Sequence, residues 1–331
     1  MSLHSFSDPL IDRSGRRFHY LRLSVTEVCN FRCTYCLPDG FKKSGPAAYL
    51  DAGEIERLVR AFARVGVAKI RLTGGEPTVR RDIGDIIARV AQVPGIAKVA
   101  MTTNGWNLRR HVGAWRAGGL TNLNVSIDDL DPEGFRAITG HDRLQDVITG
   151  IDEALALAMP EVKVNAVLLK SSVETGFDRF AAFVKSRPIA VRFIELMRTA
   201  DNAPYFAAQH ASGTELTTWL DRRGWTPRPR AFDDGPAIEF THPDHAGRFG
   251  LIAPYAPGFC DSCNRLRVTA GGKLRLCLFG EGGVDLRDLL AGDQTDALAE
   301  RVRCALGAKP AGHRLQEGQP GDTRNLAQFG G

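Results

Sequence analysis

Six of the seven cysteines in this 331-residue chain fall into two tight groups. Cys29, Cys33 and Cys36 are spaced C-x3-C-x2-C, and Cys260, Cys263 and Cys277 are spaced C-x2-C-x13-C. An odd count and short spacings argue against disulfides and for metal in a reducing compartment. In the first group three thiols crowd one short segment and no fourth lies close. Zinc ordinarily takes four ligands, often as C-x2-C pairs. A 4Fe–4S cube also takes four, normally thiolates, so three from the protein leave one iron open to a small molecule. The second group reads in two ways. It is three-quarters of a zinc ribbon that needs a fourth ligand, or a second cluster with an open iron. Cys304 lies in an amphipathic helical pattern, where a buried free thiol is expected. His242 and His245 are conceivable ligands but precede the group.

These groups need a scaffold. The length suits about two domains or one large α/β barrel. Hydrophobic residues make up 43% and charged residues 24%, the balance of a folded protein with a real core. The first two hundred residues repeat a strand-then-helix rhythm, with strands expected at 20–25, 67–72, 97–102, 123–127, 162–168 and 191–196. They are rich in Val, Ile and Leu, and several read as buried on both faces, as parallel strands are. Asp51-Ala-Gly-Glu54 reads as a capping box. Ile55, Leu58, Val59 and Phe62 behind it form one helix face. Six such units predict a parallel sheet curled into a partial barrel, with ligands at its C-terminal strand ends. Thr73-Gly-Gly-Glu-Pro77, Thr102-Thr-Asn-Gly105 and Ser126-Ile-Asp128 follow strands directly. Beyond Met197 Pro and Gly become denser, so a boundary is expected there, between 1–200 and 201–331. A helix near 214–222, a hairpin around Ala270-Gly-Gly272 and a helix over 295–306 follow. The tail from Gly307 reads equally as a frayed end or a docked segment.

Charge and hydropathy exclude several classes. Lys plus Arg exceed Asp plus Glu by 43 − 38 = +5. The Arg-rich excess suits a phosphate ligand better than a nucleic-acid track, and no block of five like charges suggests a nucleic-acid arm. No stretch of 18 apolar residues predicts a membrane span. The opening segment has no apolar core of a secretory signal, so a cytoplasmic location is expected.

The first triad follows the first strand and has an aromatic, Tyr35, before its last cysteine. In this it resembles the radical S-adenosylmethionine superfamily. That resemblance implies a cluster whose open iron chelates the methionine moiety of S-adenosylmethionine, and a 5′-deoxyadenosyl radical formed with one electron. It places Tyr35, Gly75, Glu76, Ser126 and Met197 at the cofactor, Glu76 near its amino group and Met197 near its adenine.

The second triad narrows the resemblance to the GTP 3′,8-cyclase family of molybdenum cofactor biosynthesis. Asp12-Arg-Ser-Gly-Arg16, Leu21-Arg-Leu-Ser-Val-Thr26, Arg71–Pro77, Arg192-Phe-Ile-Glu195, Phe259–Arg267 and the terminal Gly330-Gly331 all stand in the family's register. The family resemblance implies two 4Fe–4S clusters, with GTP between them and guanine against the open iron of the second. Arg22, Arg71, Lys163, Arg265 and Arg267 would hold the triphosphate, with Thr102 and Leu266 as further contacts. Arg265, Arg267, Gly330 and Gly331 would serve catalysis, the two glycines threading into the site. The implied fold is a partial (β/α)6 barrel with a C-terminal region holding the second cluster. The implied reaction joins C3′ of GTP to C8. A one-electron reductant, a downstream cyclic pyranopterin monophosphate synthase and a homodimer fit the same resemblance. Two rivals remain: a peptide-modifying maturase, which would carry more C-terminal cysteines, and a zinc-ribbon nucleic-acid module, which would be colourless.

The two triads generate a first prediction. Anaerobic reconstitution should load about eight irons per chain, and Ala at Cys260, Cys263 and Cys277 together should leave about four. Iron analysis checks both numbers. Loss of all iron in the triple variant would contradict two independent sites.

Overall fold

Strand β1 (Tyr20–Thr26) puts Leu21, Leu23 and Val25 on one face and Tyr20, Arg22 and Ser24 on the other, as the two-residue period of a strand requires. The same alternation recurs in β2 (Lys69–Gly74), β3 (Lys98–Thr103), β4 (Asn122–Ser126), β5 (Glu161–Leu168) and β6 (Ala190–Glu195). One face is apolar throughout and belongs to a single core with the surrounding helices. The other face, also largely buried, carries Arg71, Asn122, Asn124, Lys163 and Arg192. The strands are thus covered on both sides, as expected, but only one side is greasy. The computed structural model that shows this describes residues 9–42, 48–173, 175–229 and 235–329.

The six strands are parallel and adjacent in chain order. Their crossovers are α1 (Ala52–Arg64), α2 (Ile83–Gln92), α3 (Leu108–Ala117), α4 (Pro132–Thr139) with α5 (Leu144–Ala156), and α6 (Thr175–Lys185). The capping box starts α1: Glu54 N donates to Asp51 Oδ1 at 2.7 Å, and Asp51 N donates to Glu54 Oε2 at 2.9 Å. Behind it Ile55, Leu58, Val59 and Phe62 are fully buried.

The C-terminal part extends this sheet at both edges. After α7 (Ala203–Gln209) and α8 (Gly213–Arg222) come β7 (Thr226–Pro227), β8 (Ile238–Thr241) and β9 (Arg248–Ile252), and β9 pairs parallel with β6. Strand β10 (Arg265–Val268) returns to the opposite edge, parallel to β1, and forms the expected hairpin with β11 (Lys273–Arg275), followed by β12 (Val284–Asp285). Side chains from β10, β1 and β2 and from β5, β6 and β9 line one common cavity, so the sheet is curled. Helix α9 (Thr295–Leu306) packs on α1.

One expectation needs adjustment and one open alternative is decided. Cys304 is exposed, not buried. The apolar stripe of α9 runs through Leu298, Val302, Ala305 and Leu306 and leaves residue 304 outside it, where its Sγ donates to Glu300 Oε1 at 3.4 Å. The tail is docked, not frayed: Leu315, Leu326 and Phe329 pack with Leu278 and Phe279 in a separate apolar cluster. Among the described residues no helix is long and apolar enough to cross a membrane.

The buried polar face is held by ion pairs. Glu239 accepts from Arg192 Nη2 at 3.3 Å, Arg228 Nη2 at 3.2 Å and Arg248 Nε at 2.6 Å. Glu161 pairs with Lys163 and accepts from Asn122 Nδ2 at 2.5 Å. Burial pushes the Glu161 carboxyl up, but the charge and hydrogen bond of Lys163, the Asn122 hydrogen bond and the Arg192 charge together more than reverse this and bring it down to about 2. A carboxyl depressed in the folded state stabilises above its unfolded value and loses that contribution as pH falls. Urea unfolding of the loaded protein should therefore weaken between about pH 4.5 and about pH 2, and Glu161→Gln should flatten that decline. Glu239→Gln, which strands buried Arg192, should cost about 3–5 kcal/mol at neutral pH. An unchanged unfolding midpoint would show the pair to be dispensable.

Candidate active site

The first triad lies in the loop after β1, which has little regular structure and is pinned from two sides. Gly75 N donates to Thr26 O at 3.0 Å and Glu76 N to Val28 O at 2.8 Å, so the turn after β2 is bonded to the loop. On the other side Arg32 N reaches Thr139 O and Thr34 N reaches Ile138 O, both at the end of α4. Gly74 has φ +136°, and a Cβ on it would strike Thr26 O; one on Gly75 would strike the carbonyls of Glu27 and Val28. The sequence suggests glycines here for close approach to a ligand. In the structure they also let two backbone segments approach each other, and both line the cavity of the first triad.

Cys29, Cys33 and Cys36 all line one cavity with Glu76, Ser126 and Thr102. Burial, joined by carboxylates and neighbouring thiols, pushes Cys29 up to about 11 and Cys36 up to about 12, and Cys33 is also raised well above its ordinary value. Free thiols so placed stay protonated at neutral pH, and a bound metal is what would deprotonate them. Among the described residues no three such side chains converge as donors to a single metal ion. Thiols spread around a cavity suit a cluster whose irons each take one sulfur, so the triad fits that group. Glu76 is buried; its Oε1 accepts from Thr103 Oγ1 at 2.7 Å and its Oε2 from Asn104 N at 2.6 Å. Tyr35 Oη donates to Asp128 Oδ2 at 2.9 Å, and burial pushes Asp128 up to about 6. Ser126 ends β4 at the cavity wall, and Met197, two residues past β6, lines this cavity and the next.

The second triad lines a larger cavity below the first, about 1380 Å³ with its open mouth included. Its electrostatics are opposite. Burial pushes Cys263 up, but Arg265 and Lys309 more than reverse this. The fourth zinc ligands considered from sequence lie elsewhere: His242 and His245 pack on Trp225, and Cys304 is on the outside of α9. His313, overlooked in the sequence, does line the cavity. Its Nδ1 accepts from Leu315 N at 3.3 Å, a contact that favours the tautomer with the proton on Nε2. Three thiols, with none of the fourth ligands expected from sequence beside them, suit a cluster with one open iron.

The rest of this cavity is cationic. Nine of its lining side chains are Lys or Arg, against one carboxylate, Glu161. Register explains the density. Arg267 pairs with Arg22 across β10–β1, and Arg22 with Arg71 across β1–β2; one step below, Arg265, Tyr20, Lys69 and Lys98 form a second row. Arg71 donates to the Tyr20 phenol, to Met101 O and to Thr102 Oγ1. Arg265 makes no side-chain hydrogen bond among the described residues. Leu266 points the other way, fully buried in the apolar core, so its side chain does not reach the cavity. Tyr20, Lys69, Lys98 and Arg192 line the cavity but were not singled out as ligands from sequence. The strand period could have found them, since Tyr20 and Lys69 stand two residues before Arg22 and Arg71.

The tail joins the two cavities. The amides of Leu326 and Ala327 hydrogen-bond to the Cys36 sulfur, Ser24 Oγ donates to Gln328 O, and Arg267 Nη1 donates to Phe329 O at 3.3 Å. Gly330 and Gly331 lie outside the described residues. Asn165, Ile194 and Met197 line both cavities and form their junction.

Comparison with known proteins agrees with this geometry. A family model described as the Radical SAM superfamily matches residues 23–184, and one described as Molybdenum Cofactor Synthesis C matches residues 189–315. The chain is 53% identical over 323 residues to a GTP 3′,8-cyclase of Vibrio cholerae serotype O1, covering 97% of each chain. It is 55% identical over 323 residues to one of Stenotrophomonas maltophilia, covering 97% of this chain and 99% of the relative. Among solved structures, SuiB of Streptococcus suis bound to S-adenosylmethionine superposes with a TM-score of 0.61 at 15% identity, over 94% of this chain and 77% of that one. At that identity the likeness concerns the fold. With the two triads at one curled sheet and identity above 50% across nearly its whole length, the chain belongs to the GTP 3′,8-cyclase family of the radical S-adenosylmethionine superfamily.

Proposed function

We propose that this enzyme converts GTP to (8S)-3′,8-cyclo-7,8-dihydroguanosine 5′-triphosphate, the first step of molybdenum cofactor biosynthesis, with one 4Fe–4S cluster at each triad. The observation that carries the substrate class is the in-register row Arg267–Arg22–Arg71 beside the second triad. Like charges directly opposite on neighbouring strands repel, and a triphosphate relieves that repulsion while accepting the guanidinium forks. Arg265 supplies a further cation, whose side chain makes no hydrogen bond among the described residues. Lys163 and Thr102 complete the phosphate and ribose side.

When bound, S-adenosylmethionine and the first cluster would supply the radical chemistry directed at C3′ of GTP. The chain's own residues do the positioning. Glu76 presents a buried carboxylate for the cofactor's ammonium, and Gly75 fixes the turn that carries it. Tyr35 holds Asp128 in place, and Ser126 offers a hydroxyl at the end of β4. Met197, with Ile194, forms an apolar threshold that excludes water from the junction. Arg267 bridges the proposed triphosphate site and the tail carbonyl of Phe329. On this reading 1–200 forms the radical-generating barrel and 201–331 the substrate side. A one-electron reductant then feeds the enzyme, and a cyclic pyranopterin monophosphate synthase receives its product.

The test is GTP binding and product formation by Arg267→Ala, with iron content and S-adenosylmethionine cleavage measured on the same sample. Loss of one partner from such a pair should cost about 2–5 kcal/mol, a fall in affinity of at least about thirtyfold. Both clusters should remain. Wild-type affinity and turnover would overturn the assignment of the triphosphate site.

A pH series gives an independent check. Burial pushes the Tyr20 phenol up, but Arg71, Arg22 and Lys69 more than reverse this, to about 7. Burial, aided by Arg192, lowers the Lys163 ammonium to about 8. Rising pH thus adds a negative charge and then removes a positive one. GTP affinity should fall in two steps, near pH 7 and near pH 8, and Tyr20→Phe should erase the first. A flat profile would place the phosphates away from both groups.

A further inference from the structure

The Asp12–Arg16 turn precedes β1 and has no part in the chemistry above. Asp12 closes a tight turn: its Oδ1 accepts from Ser14 N and Arg16 N at 3.0 Å each, and Gly15 takes φ +76° at the apex. The turn presents the Arg16 side chain inward, 6% exposed, against an Asp12 side chain that is 1% exposed. Arg16 Nε donates to Asp12 Oδ2 at 2.7 Å. The remaining edge of the guanidinium spans two other segments. Nη1 donates to Cys260 O at 3.0 Å and to Ala311 O at 2.5 Å, and Nη2 donates to Pro310 O at 2.7 Å. Two residues past Ala311, the backbone of His313 hydrogen-bonds to the Cys260 sulfur.

We infer that Arg16 is a positioning residue for the second triad: it clamps the Cys260 carbonyl to the 310–311 segment, holds the His313 amide on the Cys260 sulfur and places a fixed positive charge beside the cluster. This rests on the proposed second cluster. A planar guanidinium with five donors can bridge a carboxylate and three carbonyls at once, which a lysine cannot. Amide bonds to sulfur and a nearby cation both favour the reduced, more negative state of a cluster, so both raise its potential. Neutral Arg16→Gln loses the charge and most of the bridge, whereas Arg16→Lys keeps the charge alone.

The experiment uses the full chain, reconstituted anaerobically, with Ala at Cys29, Cys33 and Cys36 so that only the second triad can hold iron. With Arg16 intact this protein should carry about four irons; no iron would refute the second cluster itself. Adding Arg16→Gln should either abolish that iron or leave a cluster with a more negative midpoint potential and an altered electron paramagnetic resonance spectrum. Arg16→Lys should fall between the two. Wild-type iron content, potential and spectrum in Arg16→Gln would overturn the inference while leaving the second cluster standing. In the chain with all its cysteines, Arg16→Gln and Asp12→Asn should keep the first-triad iron and S-adenosylmethionine cleavage. Parallel loss of both clusters in both variants would mean that Arg16 serves the whole fold, and would also overturn it.

Discussion

Three guanidinium groups in register on adjacent strands, Arg267, Arg22 and Arg71, set the terms for this protein. Two unit charges about 5 Å apart repel by about 3 kcal/mol at an effective dielectric near 20. A barrel interior would not hold such a row unaided. Here Tyr20, Met101 O and Thr102 take donors from Arg71, and the tail carbonyl of Phe329 takes one from Arg267. Lower down, Glu161 and Glu239 balance Lys163, Arg192 and Arg248. The compensation is polar and partial, and it leaves a cavity suited to a polyanion.

The two triads sit in opposite fields. Around the first, Glu76 and Asp128 add negative character to three buried thiols. Around the second, Arg265, Lys309 and Arg16 add positive character. A cofactor with an ammonium and a sulfonium suits the upper cavity, and a nucleoside triphosphate the lower one. The return of β10 to the edge of β1 is what brings these fields together, because it sets Arg265 and Arg267 beside Tyr20 and Arg22.

Distant segments complete the site in a similar way. The tail reaches the Cys36 sulfur with two amides and Arg267 with a carbonyl, so residues 326–329 touch both halves at once. The turn at 12–16 ties the second cysteine loop to residues 310–311. Neither segment has a periodic apolar face, and each is held in part by hydrogen bonds to groups far away along the chain.

The sequence by itself determined the local and the chemical. Cysteine spacing identified both triads, because ligands in one loop must be close whatever the fold does. Periodicity located the six strands, the Asp51 cap and the helix over 295–306, because those depend on neighbours within a few residues. The tertiary structure decided the rest. Whether Cys304 faced in or out depended on which side of α9 met α1. Leu266 was turned from the cavity and Tyr20, Lys69 and Arg192 into it by sheet register and curl, properties of the paired strands together. The role of Gly74 and Gly75 as a backbone-to-backbone contact, and the docking of a tail with no pattern of its own, came from long-range apolar contacts and hydrogen bonds. Such bonds join residues whose separation along the chain carries no information about their distance in space.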